Sequence, residues 1–417
     1  MKKIMILGAG IYQVPLIRTA QKMGLYTIVS SIPGDYPGFA LADKIYYVNT
    51  TDHEAILDIC RQEMISGICT TGTDVAVSTI GYVCEHMGLN GISWKSSQNV
   101  TDKALMKECF RMGNVSTAHF QRAETYAQAA AAAEKLGYPV VLKRVDSSGS
   151  RGIMAAGNPS QLPNAYANAS KDSSKKYILV EEKINGIEIG VDGIVQNGKL
   201  VFFAPHEKTV YQAGKITVPV GHSFPFHGSA ELIKEIHHQT ALAVKSLELD
   251  NCAINADVFV DRSNNRVSII EMGGRTGATC IPELISLYYG FDFYQKILLN
   301  ALGKASDFIP GNKLIPCEAR LLMSPVHGTI TAIDIQTLQN LQKDHIQICI
   351  DHPVGHCVEP MINGTTRIGH VVAPICDNFS FNQFLDTVYS CIYVDNKALS
   401  EIWKSICRRT QEVTCQK

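Results

Sequence analysis

Hydrophobic and polar positions follow two rhythms along the first hundred residues. Short apolar runs at Lys3–Leu7, Tyr26–Ser30 and Gly67–Thr71 read as strands buried on both faces. Between them, apolar residues recur at helical spacing over Val14–Met23 (closed by Gly24), Ile56–Gln62 and Ser78–Met87 (followed by Gly88). Strand–helix alternation at this pace implies a parallel sheet covered on both faces.

The rhythm changes near Thr101, which is placed to cap a helix through Phe110, with Gly113 beyond its end. An alanine-rich helix over Thr125–Leu136 stops at Gly137, and Pro139–Val145 reads as a buried strand. After another strand at Tyr177–Glu182, Ile187–Val195 and Leu200–Ala204 flank Asn197-Gly198, a strong hairpin signal. A helix over Glu231–Leu247 precedes two strands, Cys252–Val260 and Arg266–Glu271, and a glycine loop from Gly273 to Gly277. Beyond Pro310 the pattern is strand-rich, and the chain closes on helices around Phe381–Cys391 and Ala398–Cys407.

Composition narrows the class. With 417 residues the chain can bury a large core over several domains, and 38 basic against 39 acidic residues leave a net charge of −1. Bulk-charge binding to nucleic acid is excluded, and no apolar run reaches the 18 residues of a membrane span. Lys2 and Lys3 before the uncharged stretch Ile4–Ile17 imitate a secretion signal, but Gly8, Gly10, Gln13 and Pro15 interrupt it and no small-x-small cleavage site follows. The 13 scattered cysteines, with no CxxC pair, read as reduced core thiols of a cytoplasmic protein.

Gly8-Ala9-Gly10 after the first strand suggests a dinucleotide turn, yet the third glycine is missing because position 13 is Gln. A better phosphate site begins at Lys143. This lysine ends an apolar strand before Ser147-Ser148-Gly149-Ser150-Arg151-Gly152, a loop rich in backbone donors that could cradle phosphate oxygens without the spacing of a P-loop.

Asp257 and Glu271 stand in otherwise apolar strands, where a carboxylate is costly unless paired or bound to a cation. A five-residue hairpin loop centred on Asn264 would set them directly opposite, with Cβ atoms about 5 Å apart; a four-residue loop would put them on opposite faces. Opposed carboxylates call for a proton or a divalent cation, and oxygen ligands favour Mg²⁺ or Mn²⁺. Arg275, in the glycine loop, could stabilise charge on a transferred phosphoryl group. The acidic run Glu181-Glu182-Lys183-Ile184, with Glu188 beyond it, could meet the polar edge of adenine and ribose.

These motifs, taken in order, resemble the ATP-grasp superfamily. They are Asp102-Lys103, the strand ending at Lys143 before its Ser/Gly loop, Glu181 to Glu188, Asp257, and Ile269-Ile270-Glu271 through Arg275. The resemblance covers roughly residues 95 to 300 and is nearest to carbamoyl-phosphate-synthetase-like proteins and L-amino-acid ligases. It implies an α/β and α+β chain in which ATP lies between two α+β subdomains behind a Rossmann-like N-terminal α/β domain. The expected bounds are 1–98 for that first domain, 99–190 for the lid and central subdomain, 191–309 for the metal-bearing subdomain, and 310–417 for a strand-rich extension.

Carried onto this chain, the resemblance gives Lys103 and Lys143 to the ATP phosphates and the loop containing Ser148 and Gly149 to a lid over them. Glu181, Lys183 and Ile184 fall to adenine, Glu188 to ribose, Asp257 and Glu271 to magnesium, and Arg275 to the reacting groups. Two departures stand out. The family commonly has Asn where this chain has Gly273, and Glu where it has Asp257. The implied activity is an ATP-dependent carboxylate–amine ligase that forms an acyl phosphate and releases ADP and phosphate, with an amino acid as one substrate. His222, His206, Asn255 and Arg320 are candidates for the substrate pocket. Two readings remain open beside it: a carbamoyl-phosphate-synthetase-like or carboxylase-type enzyme acting on bicarbonate or carbamate, and an ATP-binding regulatory protein. No Met-Lys-Met biotin-attachment motif occurs. The expected partners are a small-molecule carboxylate and amine, with no nucleic acid and no membrane, and the region after 310 could serve a homodimer.

Overall fold

The computed structural model describes residues 1–146, 152–213, 216–343, 345–376 and 379–409. They form two compact units. The first comprises Met1–Pro205, His227–Gly277 and Tyr294–Phe308; the second comprises His206–Phe226, Ala278–Phe293 and Ile309–Lys417.

The first unit opens with a four-stranded parallel sheet in the order Lys44–Tyr46, Tyr26–Ser30, Lys3–Leu7, Gly67–Cys69. Ile4, Met5, Ile6 and Leu7 are wholly buried, as expected of a parallel strand covered on both faces. Helices Val14–Lys22, His53–Glu63 and Val77–Met87 stand where the spacing predicts them. Gly8, at φ 99°, makes the turn after the first strand, and Gln13 closes it. The Gln13 side chain accepts from Gly10 N at 2.9 Å and donates to Thr71 O at 2.5 Å. A Cβ on Gly8 would stand 2.9 Å from the Gln13 Oε1. The place where a dinucleotide's pyrophosphate would need bare backbone is therefore occupied by a side chain.

The expected Thr101 cap is corrected by the structure. Thr101 ends a helix, Trp94–Thr101, that begins at the Ser93 cap; Asp102 caps the next one, Lys103–Met112, by accepting from Ala104 N and Leu105 N. A carboxylate is the stronger acceptor for the free N–H groups of a first turn. An antiparallel sheet follows in the order Phe120–Ala123, Ile178–Glu182, Val140–Arg144, Ile153–Ala156. Thr125 and Gln128 form a capping box on the alanine-rich helix Tyr126–Leu136, whose Ala129, Ala132 and Ala133 pack on Val140 and Leu142.

Strands Arg266–Gly273, Cys252–Asp261, Ile187–Gln196 and Lys199–Ala213 lie side by side in that order. The last two are joined by Asn197 and Gly198, both at positive φ, as a two-residue hairpin turn requires. Register carries the consequence for the site. The Cys252–Asp261 and Arg266–Gly273 pair closes with Asp261 opposite Arg266, a four-residue loop rather than five. Left regular, that ladder would have set Asp257 against Ile270. A bulge between Asp257 and Val258 adds one residue to the second strand, so Asp257 faces Glu271 after all.

In the second unit the later part of Lys199–Ala213 pairs with Ile216–Phe224, followed by Cys317–Leu322, Gly369–Pro374 and Gln347–Ile350. Helix Phe381–Ser390 packs Leu385 and Val388 into a core with Leu322, Val371 and Ile392. The eleven described cysteines are all unbridged, seven of them buried. Among the described residues no helix is long and apolar enough to cross a membrane.

Candidate active site

One face of the first unit's antiparallel strands gathers the polar chemistry. Directly paired residues share a face, and the registers Asn255↔Asp192, Asp257↔Gly190, Phe259↔Glu188, Asp257↔Glu271 and Asn255↔Gly273 put five polar side chains on one side. The alternate residues Ile254, Ala256, Val258 and Val260 are buried on the other side. This alternation builds a polar floor on an apolar core.

Lys103, at the start of its helix, reaches the floor and pairs with Glu271. Burial would push the Lys103 ammonium down, but Glu271, then Asp74 and Asp257, hold it above its ordinary value. Arg275 lies beside it. Its Nη2 is 2.6 Å from Asp74 Oδ1, and its Nη1 donates to Asn255 Oδ1 at 3.0 Å. Asn255 in turn donates to the fully buried Asp192 at 2.7 Å, and Asp192 also accepts from Thr276 Oγ1 and Gly277 N, both at 2.8 Å. The glycine loop that carries Arg275 is thus fixed to the floor through one carboxylate. Asp74, Lys103, Asn255, Glu271 and Arg275 line a single cleft.

Gly273 stands where the resemblance leads one to expect Asn. A Cβ there would lie 3.1 Å from Asp74 Oδ1, so the Asp74 carboxylate already occupies the space a longer side chain would enter. The charge set of Asp74, Asp257 and Glu271 around Lys103 and Arg275 suits a divalent cation on oxygen ligands.

The second group is sealed. Lys143 and Glu181 lie on neighbouring strands, and Lys143 Nζ is 2.8 Å from Glu181 Oε2. Lys107 Nζ approaches the same oxygen at 3.5 Å and donates to Thr117 Oγ1 at 2.6 Å. Burial pushes Lys107 down to about 8 against the pull of Glu181. Burial would raise Glu181, but Lys107 and Lys143 keep it below the usual carboxylate value. The Glu181 carboxylate is therefore the counter-ion of two lysines inside the subdomain.

The remaining candidates are placed as follows. Lys183 is exposed, Ile184 and Glu188 are half-buried, and Lys183 N donates to Pro139 O at 3.1 Å. Ser148 and Gly149 lie outside the described residues. His222, His206 and Arg320 belong to the second unit. His222 and His206 are buried with their Nδ1 atoms 3.1 Å apart, and burial, then His206, holds His222 well below its ordinary value. Arg320 is paired with Glu318, a carboxylate partner for a half-buried cation.

Asp74, Asp192 and Lys107 were missed in the sequence. Asp192 carried a usable signal, a carboxylate inside the apolar run Ile187–Val195. Asp74 sits in a loop and Lys107 in an amphipathic helix, where an acid and a lysine are ordinary.

The family model of the ATP-grasp domain matches residues 136–283. Alanine–anticapsin ligase of Bacillus subtilis strain 168 is 25% identical over 305 residues, 66% of this chain and 63% of that protein. The carbamoyl phosphate synthase large chain of Thermotoga maritima is 24% identical over 355 residues, 74% of this chain and 31% of that protein. The chain therefore spans less than two thirds of the curated relatives it matches. Among solved structures, phosphoribosylglycinamide synthetase from Anaerococcus prevotii superposes with a TM-score of 0.79 at 26% identity, over 95% of this chain and all of that one. An L-amino acid ligase from Bacillus licheniformis gives 0.77 at 17% identity over 95% and 99%. The chain thus carries an ATP-grasp domain over residues 136–283.

Proposed function

We propose that this protein is an ATP-dependent carboxylate–amine ligase that releases ADP and phosphate. The observation that carries the reading is the polar floor of the strands, where Asp257 opposes Glu271 and both act on Lys103, with Arg275 within reach of the Asp257 charge. The similarity to alanine–anticapsin ligase and to an L-amino acid ligase supports an amino acid as one substrate.

A carboxylate and an amine do not condense at neutral pH because hydroxide leaves poorly. Transfer of the γ-phosphoryl group of ATP to the carboxylate gives an acyl phosphate; attack by the amine then expels phosphate and forms the amide, with one proton lost from nitrogen. Asp257 and Glu271 would hold Mg²⁺ or Mn²⁺, which neutralises phosphate charge when bound. Lys143 and Lys103 hold phosphate oxygens, and Arg275, fixed by Asn255 and Asp74, faces the charge that builds on the acyl group. Asp74, beside Arg275, offers its carboxylate to the incoming ammonium.

The test is ADP and phosphate release from MgATP with the twenty L-amino acids, singly and in pairs, and with bicarbonate as the control carboxylate. Release that depends on a pair supports the ligase. Release of AMP, or stimulation by bicarbonate alone, overturns it.

A further inference from the structure

We infer that Cys349, Asp351 and His370 of the second unit form a binding site for zinc or a similarly borderline-soft divalent cation. This inference does not rest on the ligase reading. Cys349 and His370 are direct cross-strand partners on Gln347–Ile350 and Gly369–Pro374, so both side chains leave the sheet on one face. Asp351 follows Cys349 by two residues, and its N–H continues the ladder to Ile368 O at 2.8 Å, which returns its side chain to the same face. One donor atom from each residue lies within 4.8 Å of the others. Around a tetrahedral zinc, with bonds of about 2.0 to 2.3 Å, ligand atoms stand roughly 3.3 to 3.8 Å apart, so small side-chain rotations close the set.

Two independent observations point to a ligand. His370 Nδ1 is buried without a hydrogen-bond partner, a costly position for a ring nitrogen that a metal bond would relieve. Asp351 is also already oriented. The buried Arg367 donates to its Oδ2 from Nε at 2.6 Å and to its Oδ1 from Nη2 at 3.4 Å, the outer support that metal-ligating carboxylates receive. Cys349 Sγ donates to Asp351 Oδ1 at 3.6 Å, so sulfur and carboxylate already converge.

The donor chemistry selects the ion. Sulfur and imidazole disfavour Mg²⁺ and Ca²⁺, which take oxygen, and favour Zn²⁺. Three protein ligands leave a fourth position for water or a small anion.

Chelator-stripped full-length protein titrated with Co²⁺ and with Zn²⁺ tests the site. The wild type is expected to show a thiolate-to-cobalt charge-transfer band that zinc bleaches and excess Mg²⁺ does not. Cys349→Ser is expected to abolish the band and His370→Gln to weaken metal binding at least tenfold, on the order seen for loss of metal-site support. Cys349 is exposed, so the serine variant keeps its fold, checked by an unchanged melting curve. If His370→Gln does not fold, protection of the Cys349 peptide from alkylation by Zn²⁺, read by mass spectrometry, decides in its place. No band, a band that survives in Cys349→Ser, or equal zinc uptake by the two proteins overturns the inference.

Discussion

Two charged clusters of the first unit invite comparison. Lys107, Glu181 and Lys143 carry one positive charge in excess; Lys107 and Glu181 are sealed from water, and Lys143 keeps about a tenth of its side chain exposed, 11%. Asp74, Asp257 and Glu271 with Lys103 and Arg275 carry one negative charge in excess and are partly open. Under the proposed function, the excess cation at low dielectric would suit a phosphate and the excess carboxylate at the cleft would suit a metal. Neither cluster could do the other's work, and separating the signs avoids their mutual cancellation.

The contrast breaks most sharply at Lys143. Lys143→Ala leaves Glu181 balanced by Lys107 alone and removes the charge from the phosphate side. We expect kcat/KM for ATP to fall on the order of 10²- to 10³-fold, with the melting temperature little changed. Glu271→Gln attacks the other cluster. It is expected to raise the Mg²⁺ concentration for half-maximal activity by roughly 10²-fold while ATP binding without metal, followed by calorimetry, stays the same. A loss of metal-free binding as large as that in Lys143→Ala would erase the distinction.

Lys107 sharpens it through pH. Its native value of about 8 lies below the ordinary 10.5, so between those values the folded chain sheds a proton the unfolded chain keeps. Stability should therefore rise from about pH 8 to 10.5 as a buried charge is relieved, while ATP affinity falls because the cluster loses its excess. In Lys107→Met the KM for ATP is expected to be about tenfold higher at neutral pH, and its rise above pH 8 should be gone. The smallest effect belongs to Asp74. Asn255 still holds Arg275 in Asp74→Ala, so about a fivefold increase in KM for the amine substrate, near 1 kcal/mol, is expected with KM for ATP unchanged.

The legible part of this molecule was whatever periodicity reports. Asp257 and Glu271 stood out because each interrupts an apolar alternation, and the parallel N-terminal sheet followed from short buried runs. The bulge that brings those carboxylates together was not legible. It leaves Ile270 outside the register, and neither Ile269 nor Ile270 announces it. Helix Trp94–Thr101 was missed because its Ser, Asn and Thr residues are weak helix formers; the Ser93 cap and packing decide. Lys107 reads from sequence as one more solvated helical lysine, and only tertiary packing reveals that it is buried. Helix Ile281–Tyr289 starts from Cys280 in the left-handed region, where no capping side chain marks its beginning.

Gln13 has a bearing on stoichiometry. A chain with a Gly-x-Gly turn after its first strand and an ATP-grasp cleft in the same compact unit offers two places that resemble nucleotide sites. The first is plugged by its own glutamine amide, anchored at both ends. Titration with ATP should therefore saturate at one equivalent per chain, the N-terminal part of the unit contributing Asp74 to the cleft rather than a nucleotide site of its own.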